Sequence, residues 1–264
     1  MKSARLDRFE KELRRKIQGD VLFDDISRLI YSTDASLYEI KPLAVILPKT
    51  RQDVIQAIRT ATKYDIPILP RGGGTSLAGQ TVSPGIVVDC SKYLNNILEL
   101  NQNERWIRVE PGIVLDNLND FLKTYNLHFA PDVATSSRAN IGGMIGNNSA
   151  GVRSIRYGKT LDHVLELSVV LSTGEGLLLE NVIGKELEAK CSQKNREGEI
   201  YSSVREIILR NRQEIIRRYP KVMRRVGGYN LDSLIEKDFN LTNLVVGSEG
   251  TLAFVTEAKL NLEP

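Results

Sequence analysis

The chain has 264 residues, 41% hydrophobic and 26% charged, with 36 basic against 33 acidic side chains and a net charge of +3. That length allows one large domain or two lobes sharing an interface, and so balanced a charge offers no footing for nucleic-acid binding. Cys90 and Cys191 are the only cysteines and stand in no metal-like spacing, which argues against a disulfide framework or a zinc site and fits a reducing compartment.

The opening stretch MKSARLDRFEKELRRK is charged and helix-prone, without the apolar core of a signal peptide. No later run approaches the ~20 apolar residues of a membrane span, so a cytoplasmic location is expected. In DDISRLIYSTDAS, Ile26, Leu29 and Ile30 fall at helical spacing before hydroxyl and acidic residues break it, and are expected to serve packing. Residues 1–36 read as a helical lead.

From Leu43 the pattern is strand, helix, strand. LAVILP is an apolar run, Thr50 and Asp53 form a capping box, and Val54, Ile55, Ile58 and Ala61 line one helix face. IPILP begins the next strand, so the unit is βαβ with parallel strands. GIVVDC, NNILEL and RWIRVEPG read as short strands. A helix from about Val114 to Tyr125 follows, with Leu115, Leu118, Phe121 and Leu122 on its apolar face.

VLELSVVLSTGEGLLLE reads as a hairpin turning at Ser172 to Gly176. Residues 181–240 are charged and mostly helical; within them RRYPKVMRR, Arg217 to Arg225, is a solvated helix end in preference to a patch for an anionic partner. NLVVGSEGTLAFVTEAKLNLEP reads as two strands flanking Gly247 to Gly250.

Chemistry concentrates in three segments. In PRGGGTSLAGQ, Arg71, Gly72, Gly73, Gly74, Thr75 and Ser76 follow a strand, and the missing Cβ atoms let successive N–H groups converge on an anion. A flexible turn is the alternative, but a run of small residues costs backbone entropy that a turn does not require. No Gly-Lys-Ser/Thr closes the loop and the G-x-G-x-x-G spacing is absent, so the nucleoside-triphosphate and dinucleotide fingerprints are both weak.

In the second segment, PDVATSSRAN runs into ANIGGMIGNNSAG, a polar loop beside a glycine helix. It suits either a large polar ligand or tight helix packing. The third, VVGSEGT, holds Glu249 between glycines as an acceptor or a turn residue. His128 and His163 have no partner in sequence and read as structural, leaving the catalytic group unknown and no metal site.

Together, PRGGGTSLAGQ, PDVATSSRANIGGMIGNNSAGVRSIRYGKTLDHVLELSVVL and NLVVGSEGTLAFVTEAKL resemble, in order and spacing, the FAD-binding domain of the vanillyl-alcohol-oxidase (PCMH) type. It is the domain of FAD-linked oxidases such as glycolate oxidase, D-lactate dehydrogenases and D-2-hydroxyglutarate dehydrogenase. The resemblance covers about Leu37 to Pro264. It implies an α+β, two-lobed fold: a small parallel-strand lobe over about 37–100, and an antiparallel-sheet lobe with helices over about 101–264.

The resemblance implies that Arg71 to Ser76, with Gly79 and Gln80, hold the FAD diphosphate. It places Pro131, Asp132, Thr135, Ser137, Gly142, Gly143, Asn147, Asn148, Ser149 and Gly151 along the flavin, its ribityl chain and the diphosphate. Glu249, Gly250 and Val255 fall near the adenosine side. Members that attach FAD covalently carry a histidine where this chain has Thr75, so noncovalent FAD is implied.

RRVGGYNLDSL, Arg224 to Leu234, is similar to the segment before the last motif in long oxidases with a C-terminal iron–sulfur module. The implied activity is oxidation of a small 2-hydroxy acid by hydride transfer to the flavin. The substrate pocket would be completed by a partner subunit or a further C-terminal substrate or iron–sulfur domain. A noncatalytic FAD-binding subunit, or an NADPH-dependent reductase of the UDP-N-acetylenolpyruvylglucosamine type, are the alternatives.

Overall fold

A computed structural model describes residues 2–222, 224–236 and 239–264. Met223, within the basic run Arg217 to Arg225, lies outside the described residues. The charged N-terminal stretch forms helix α1 (Lys2–Lys16), and Phe9 and Leu13, with Ile17 just beyond, make a buried stripe at four-residue spacing. Phe9 meets the ring edges of Phe23 and Tyr64 at centroid distances of 6.1 and 5.2 Å.

The first sheet contains β1 (Asp20–Leu22), β2 (Ala44–Leu47), β3 (Ile68–Arg71) and β4 (Ile86–Asp89) in the order β1-β2-β4-β3. β2, β4 and β3 are parallel and β1 is antiparallel. The βαβ strands are parallel as the pattern requires, but they are not neighbours, because β4 lies between them. The burial explains this: every residue of β4 is buried whereas β3 is only half-buried, so the strand apolar on both faces takes the inner place.

Helix α2 (Asp25–Ile30) is capped by Asp24, which accepts the Ser27 N–H at 2.9 Å. Ile26, Leu29 and Ile30, expected to pack, are exposed instead. The two-turn helix is oriented by its polar side, Arg28 donating from Nε to the Pro42 carbonyl at 2.7 Å, which leaves the apolar side to solvent.

Helix α3 (Arg51–Lys63) starts at Thr50, whose hydroxyl accepts the Asp53 N–H at 3.1 Å. The buried Asp53 carboxylate does not return the bond to Thr50 but accepts the N–H groups of Gln18, Gly19 and Lys49 at 2.9, 3.1 and 2.9 Å. One carboxylate thus ties the end of α1 to the start of α3.

The second lobe is built on β5 (Ile97–Asn101), β6 (Trp106–Val109), β7 (Val164–Val170) and β8 (Gly176–Leu179). A separate two-stranded pair, β9 (Asn181–Val182) and β10 (Phe239–Asn240), stands apart, and β11 (Phe254–Asn261) completes the antiparallel sheet in the order β5-β6-β11-β7-β8. Helices α4 (Leu115–Lys123), α5 (Ile141–Asn147) and α6 (Ser154–Tyr157) precede β7. Helices α7 (Gly184–Cys191), α8 (Arg196–Arg218), α9 (Ser233–Glu236) and α10 (Thr242–Val245) follow β9. Among the described residues, no helix is long and apolar enough to cross a membrane.

In α4, Leu115, Leu118 and Leu122 are buried, but Phe121 lies at the surface against the Tyr125 ring. NLVV, expected as a strand, is the helical turn α10: the Asn240 side chain accepts the Thr242 N–H at 3.0 Å and starts it. The Gly247 to Gly250 turn therefore joins a helix to a strand and is not a hairpin.

The two lobes share packing, since Val170 of β7 and Phe254 of β11 are buried with the first lobe's core residues Ile46, Ile86 and Val88. On the central strands of the second sheet, Glu166 receives Lys259 at 2.6 Å and Arg108 at 2.7 Å. Burial pushes the Glu166 carboxyl up, and the hydrogen bonds from Lys259 and Arg108 outweigh it and hold the group below its ordinary value. A lowered folded-state pKa contributes stability above the unfolded carboxylate's pKa of about 4.3. That contribution disappears as the pH falls through the folded value. Glu166→Gln should therefore lower unfolding free energy by about 1 kcal/mol at neutral pH, with the difference from wild type narrowing as the pH falls below the unfolded carboxylate's value of about 4.3, as measured by urea unfolding across pH.

Candidate active site

Three elements converge on one cleft: the loop after β3, the face of α5, and the Gly247 to Gly250 turn before β11. The cleft takes in about 1090 Å³ of space between protein atoms, part of it open to solvent. Arg71 to Ser76, Gln80, Thr135, Gly142, Gly143, Asn147, Ser149, Glu249, Gly250 and Val255 all line it. Residues separated by up to 184 positions in sequence thus meet around one space.

The loop's glycines answer to the protein before any ligand. A Cβ on Gly72 would stand 3.0 Å from Asn140, and one on Gly73 would stand 2.1 Å from the Arg138 carbonyl oxygen. Gly74 has φ +62° and would meet the Arg71 guanidinium at 2.6 Å. Without Cβ atoms the loop lies directly on the 138–140 segment of the second lobe.

The loop's N–H groups are left over. Among the described residues, those of Gly72 to Leu77 donate to no protein acceptor, while the Gly74 carbonyl accepts the Ala35 N–H at 3.1 Å and the Arg71 carbonyl accepts the Cys90 N–H at 3.2 Å. In a trans peptide the N–H points opposite to the C=O, so these outward carbonyl bonds turn the Thr75 and Gly72 N–H groups the other way. The Ser76 hydroxyl donates to the Gln80 side-chain oxygen, whereas the Thr75 hydroxyl has no protein partner among the described residues.

Helix α5 presents the opposite behaviour. Gly142 is needed because a Cβ there would sit 2.7 Å from Pro111, but Gly143 has nothing within 4 Å and Gly146 only the Glu249 Cα at 3.8 Å. One turn apart on the helix, these two leave a face without side chains toward the cleft.

Gly79, Pro131, Asp132, Ser137, Asn148 and Gly151 are not in the cleft lining. Gly79, at φ +80°, lies against the Tyr38 ring. Asp132 accepts the Arg153 N–H at 3.2 Å, and its backbone oxygen would be 1.9 Å from a Cβ on Gly151. Asn148, buried at φ 50°, closes α5, and its side-chain oxygen accepts the Leu161 N–H at 3.0 Å. Pro131 is buried and Ser137 is exposed.

Sequence reasoning missed Thr81, Cys90, Pro111, Asn140, Gly146 and Ser248, which line the cleft. Asn140 was detectable as the amide residue at the N-cap of the IGG helix, and Gly146 as the glycine one turn beyond Gly143. Pro111 gave no local signal, since only the chain's return beneath α5 brings it there. His128 and His163 stand outside the lining, beside Tyr157: His163 contacts the Tyr157 carbonyl at 2.6 Å and His128 meets the Tyr157 ring edge at 5.6 Å. Burial, followed by the charge of Arg153, pulls His128 below its ordinary pKa.

A sequence profile of the family described as FAD binding domain matches residues 42–179. The chain belongs to the FAD-binding-domain family. It is 42% identical to the D-2-hydroxyglutarate dehydrogenase of Pseudomonas putida, covering 99% of this chain and 27% of that protein. It is 32% identical to glycolate oxidase subunit GlcD of Bacillus subtilis, covering 96% of this chain and 44% of that one. The chain thus spans between about a quarter and under half the length of these relatives.

The fold of this FAD-binding domain is similar to that of a solved alkyldihydroxyacetonephosphate synthase, with a TM-score of 0.68 at 20% identity over 97% of this chain and 40% of the other. It is also similar to 6-hydroxy-D-nicotine oxidase from Arthrobacter nicotinovorans, with a TM-score of 0.62 at 19% identity over 93% and 42% of the two chains. Both likenesses extend over the two lobes.

The two classes of glycine separate by experiment on flavin-free protein. Gly73→Ala forces a Cβ onto the Arg138 carbonyl and should lower unfolding free energy by about 1–3 kcal/mol. Gly143→Ala meets open space and adds helix propensity, so stability should hold or rise by up to about 1 kcal/mol. Equal losses in thermal unfolding of the two variants would show that both glycines serve only packing.

Proposed function

We propose that the cleft binds FAD noncovalently and that the chain is the flavin-holding part of a dehydrogenase or oxidase acting on small 2-hydroxy acids. The observation that carries the reading is the pairing of unpartnered N–H groups on the Gly72 to Ser76 loop with the bare Gly143 and Gly146 face. One surface is made for an anion and the other for a broad group that a side chain would displace.

In this reading the Gly72 to Ser76 N–H groups and the Thr75 hydroxyl hold the diphosphate. The α5 face, with Thr135, Asn147 and Ser149, seats the flavin and its ribityl chain. Glu249, at φ 51° and held by its own N–H to the Gly146 carbonyl at 3.0 Å, supplies a carboxylate acceptor for a hydroxyl or amine of the adenosine half. Gly79, Asp132, Asn148 and Gly151 support these turns from behind, as do Pro131 and Ser137 at the ends of the 131–137 loop.

Noncovalent binding is supported by what faces the cleft. Position 75 is threonine, and the Cys90 thiol is buried, with burial the first cause pushing its pKa up, so it is held as the unreactive thiol. Bound FAD supplies the hydride acceptor for oxidising the α-carbon of the acid. The chain's residues bind and orient the cofactor, and we assign the catalytic base to none of them.

The substrate class rests on the names of the relatives, dehydrogenases of D-2-hydroxyglutarate and a glycolate oxidase subunit. Because the chain spans only 27% and 44% of those relatives, we place completion of the substrate pocket with further polypeptide, a partner subunit or another domain. The purified chain should take up FAD and show flavin bands near ~370 and ~450 nm. Acid precipitation should release the flavin, and D-2-hydroxyglutarate, D-lactate or glycolate should bleach it only slowly under anaerobic conditions.

Gly143→Leu should keep the fold and weaken FAD binding at least about tenfold, since the added side chain enters the space assigned to the ligand. A chain that takes up no FAD, or a Gly143→Leu variant that binds it as wild type does, sinks the reading. Flavin retained on the denatured protein refutes noncovalent attachment.

A further inference from the structure

Arg71 opens the glycine loop, and a basic side chain there invites the reading that it pairs with the anion. The guanidinium is committed elsewhere. Its Nη1 donates to the Thr81 carbonyl at 2.8 Å and to the Tyr31 carbonyl at 3.3 Å, and its Nη2 donates to the Thr33 carbonyl at 2.8 Å. The group also stacks over the Tyr31 ring, 5.2 Å from its centroid.

These partners have a topological meaning. Arg71 is the last residue before the loop and Thr81 is the first after Gln80, so one side chain staples the loop's two ends. Its other carbonyls belong to the 31–33 strap, whose next residues continue the grip: the Ala35 N–H holds the Gly74 carbonyl at 3.1 Å, and Asp34 accepts the Thr81 hydroxyl at 2.9 Å. Gly74 completes the fit, because a Cβ there would stand 2.6 Å from Nη2. The guanidinium therefore occupies the underside of the turn.

We propose that Arg71 is a positioning residue: it fixes the loop in the conformation that frees the Gly72 to Ser76 N–H groups, and does not itself pair with the diphosphate. The proposal rests on the FAD reading for its ligand, but its effect on the loop is independent of any ligand. A planar guanidinium serves three divergent carbonyls from two separated nitrogens, whereas a lysine ammonium is a single nitrogen that cannot stand at both the Nη1 and the Nη2 positions and so cannot serve all three. Arginine is thus required for its shape, with charge as a secondary feature.

The test compares Arg71→Lys with Arg71→Gln. FAD and ADP are titrated at about 0.05 and 0.5 M salt, where screening of an ion pair differs several-fold in reach, and in flavin-free protein hydrogen exchange is followed at the Ala35 and Thr81 N–H groups, which bond to the Gly74 carbonyl and the Asp34 carboxylate at 3.1 and 3.4 Å. Positioning predicts that both variants weaken FAD and ADP by the same factor, about tenfold or more. The salt dependence of binding should equal that of wild type, and exchange at Ala35 and Thr81 should rise about tenfold while that of β2 and β4 is unchanged.

The proposal is overturned if Arg71→Lys binds as wild type while Arg71→Gln fails, if salt dependence flattens in Arg71→Gln, or if exchange at Ala35 and Thr81 does not change. Gly74→Ala disturbs the same seat from the loop side and should raise exchange at Ala35 and Thr81 in the same way, which keeps the test decisive should the Arg71 variants not fold. If wild type binds no FAD, the cofactor reading fails, while the exchange measurements still decide the role of Arg71.

Discussion

The contact on which the site depends is the one between the backbone of Gly72 and Gly73 and the Arg138 to Asn140 segment. It joins a loop of the parallel sheet to the entry of α5 in the other lobe, at a separation that admits no Cβ. A loop pressed this closely on its neighbour along one side has only the other side on which to expose polar groups. Since the Gly74 and Arg71 carbonyls are taken by Ala35 and Cys90, the Thr75 and Gly72 N–H groups of the same peptides remain on that side. On the proposed reading, the loop's fitness for an anion is thus a consequence of packing as much as of composition.

The third wall is held to the second by similar means. The Gly247 N–H donates to the Ile145 carbonyl at 2.9 Å and the Glu249 N–H to that of Gly146 at 3.0 Å, so the turn before β11 closes the free end of α5. Asn230 supports the turn from behind, donating to the Val246 carbonyl at 2.8 Å. Arg224 and Tyr229 of the same RRVGGYNLDSL segment reach the Ala150 carbonyl and the Thr251 hydroxyl, each at 2.8 Å. This stretch braces the turns that line the cleft, and a Cβ added to its Gly227 or Gly228 would meet no atom within 4 Å.

Much of this was legible because the signals are local. Apolar runs mark β2 and β4, a hydroxyl three residues before an acid marks the start of α3, and the glycine clusters mark the turns. What failed needed long-range information. NLVV is apolar enough for a strand, and only the Asn240 side chain turns it into α10. Ile26, Leu29 and Ile30 have helical spacing, but Arg28 and its bond to Pro42 decide which side of α2 faces inward. Within the site, composition cannot distinguish Gly73, which serves packing, from Gly143, which faces open space, because that difference lies in what stands opposite each residue.

Among the described residues that line the cleft, Arg71 carries the one basic side chain and Glu249 the one acidic one. With Arg71 turned to backbone carbonyls, a dianionic diphosphate in this cleft meets peptide N–H groups and a hydroxyl, with no free side-chain cation. Fixed dipoles of this kind need no reorganisation when the anion arrives, and they are screened by salt far less than exposed ion pairs. They work only while the backbone holds its orientation, which is why the loop is anchored so heavily from outside the cleft. The first lobe's 31–35 strap forms no part of the cleft lining, yet through Arg71, Gly74 and Thr81 it controls the donors that do.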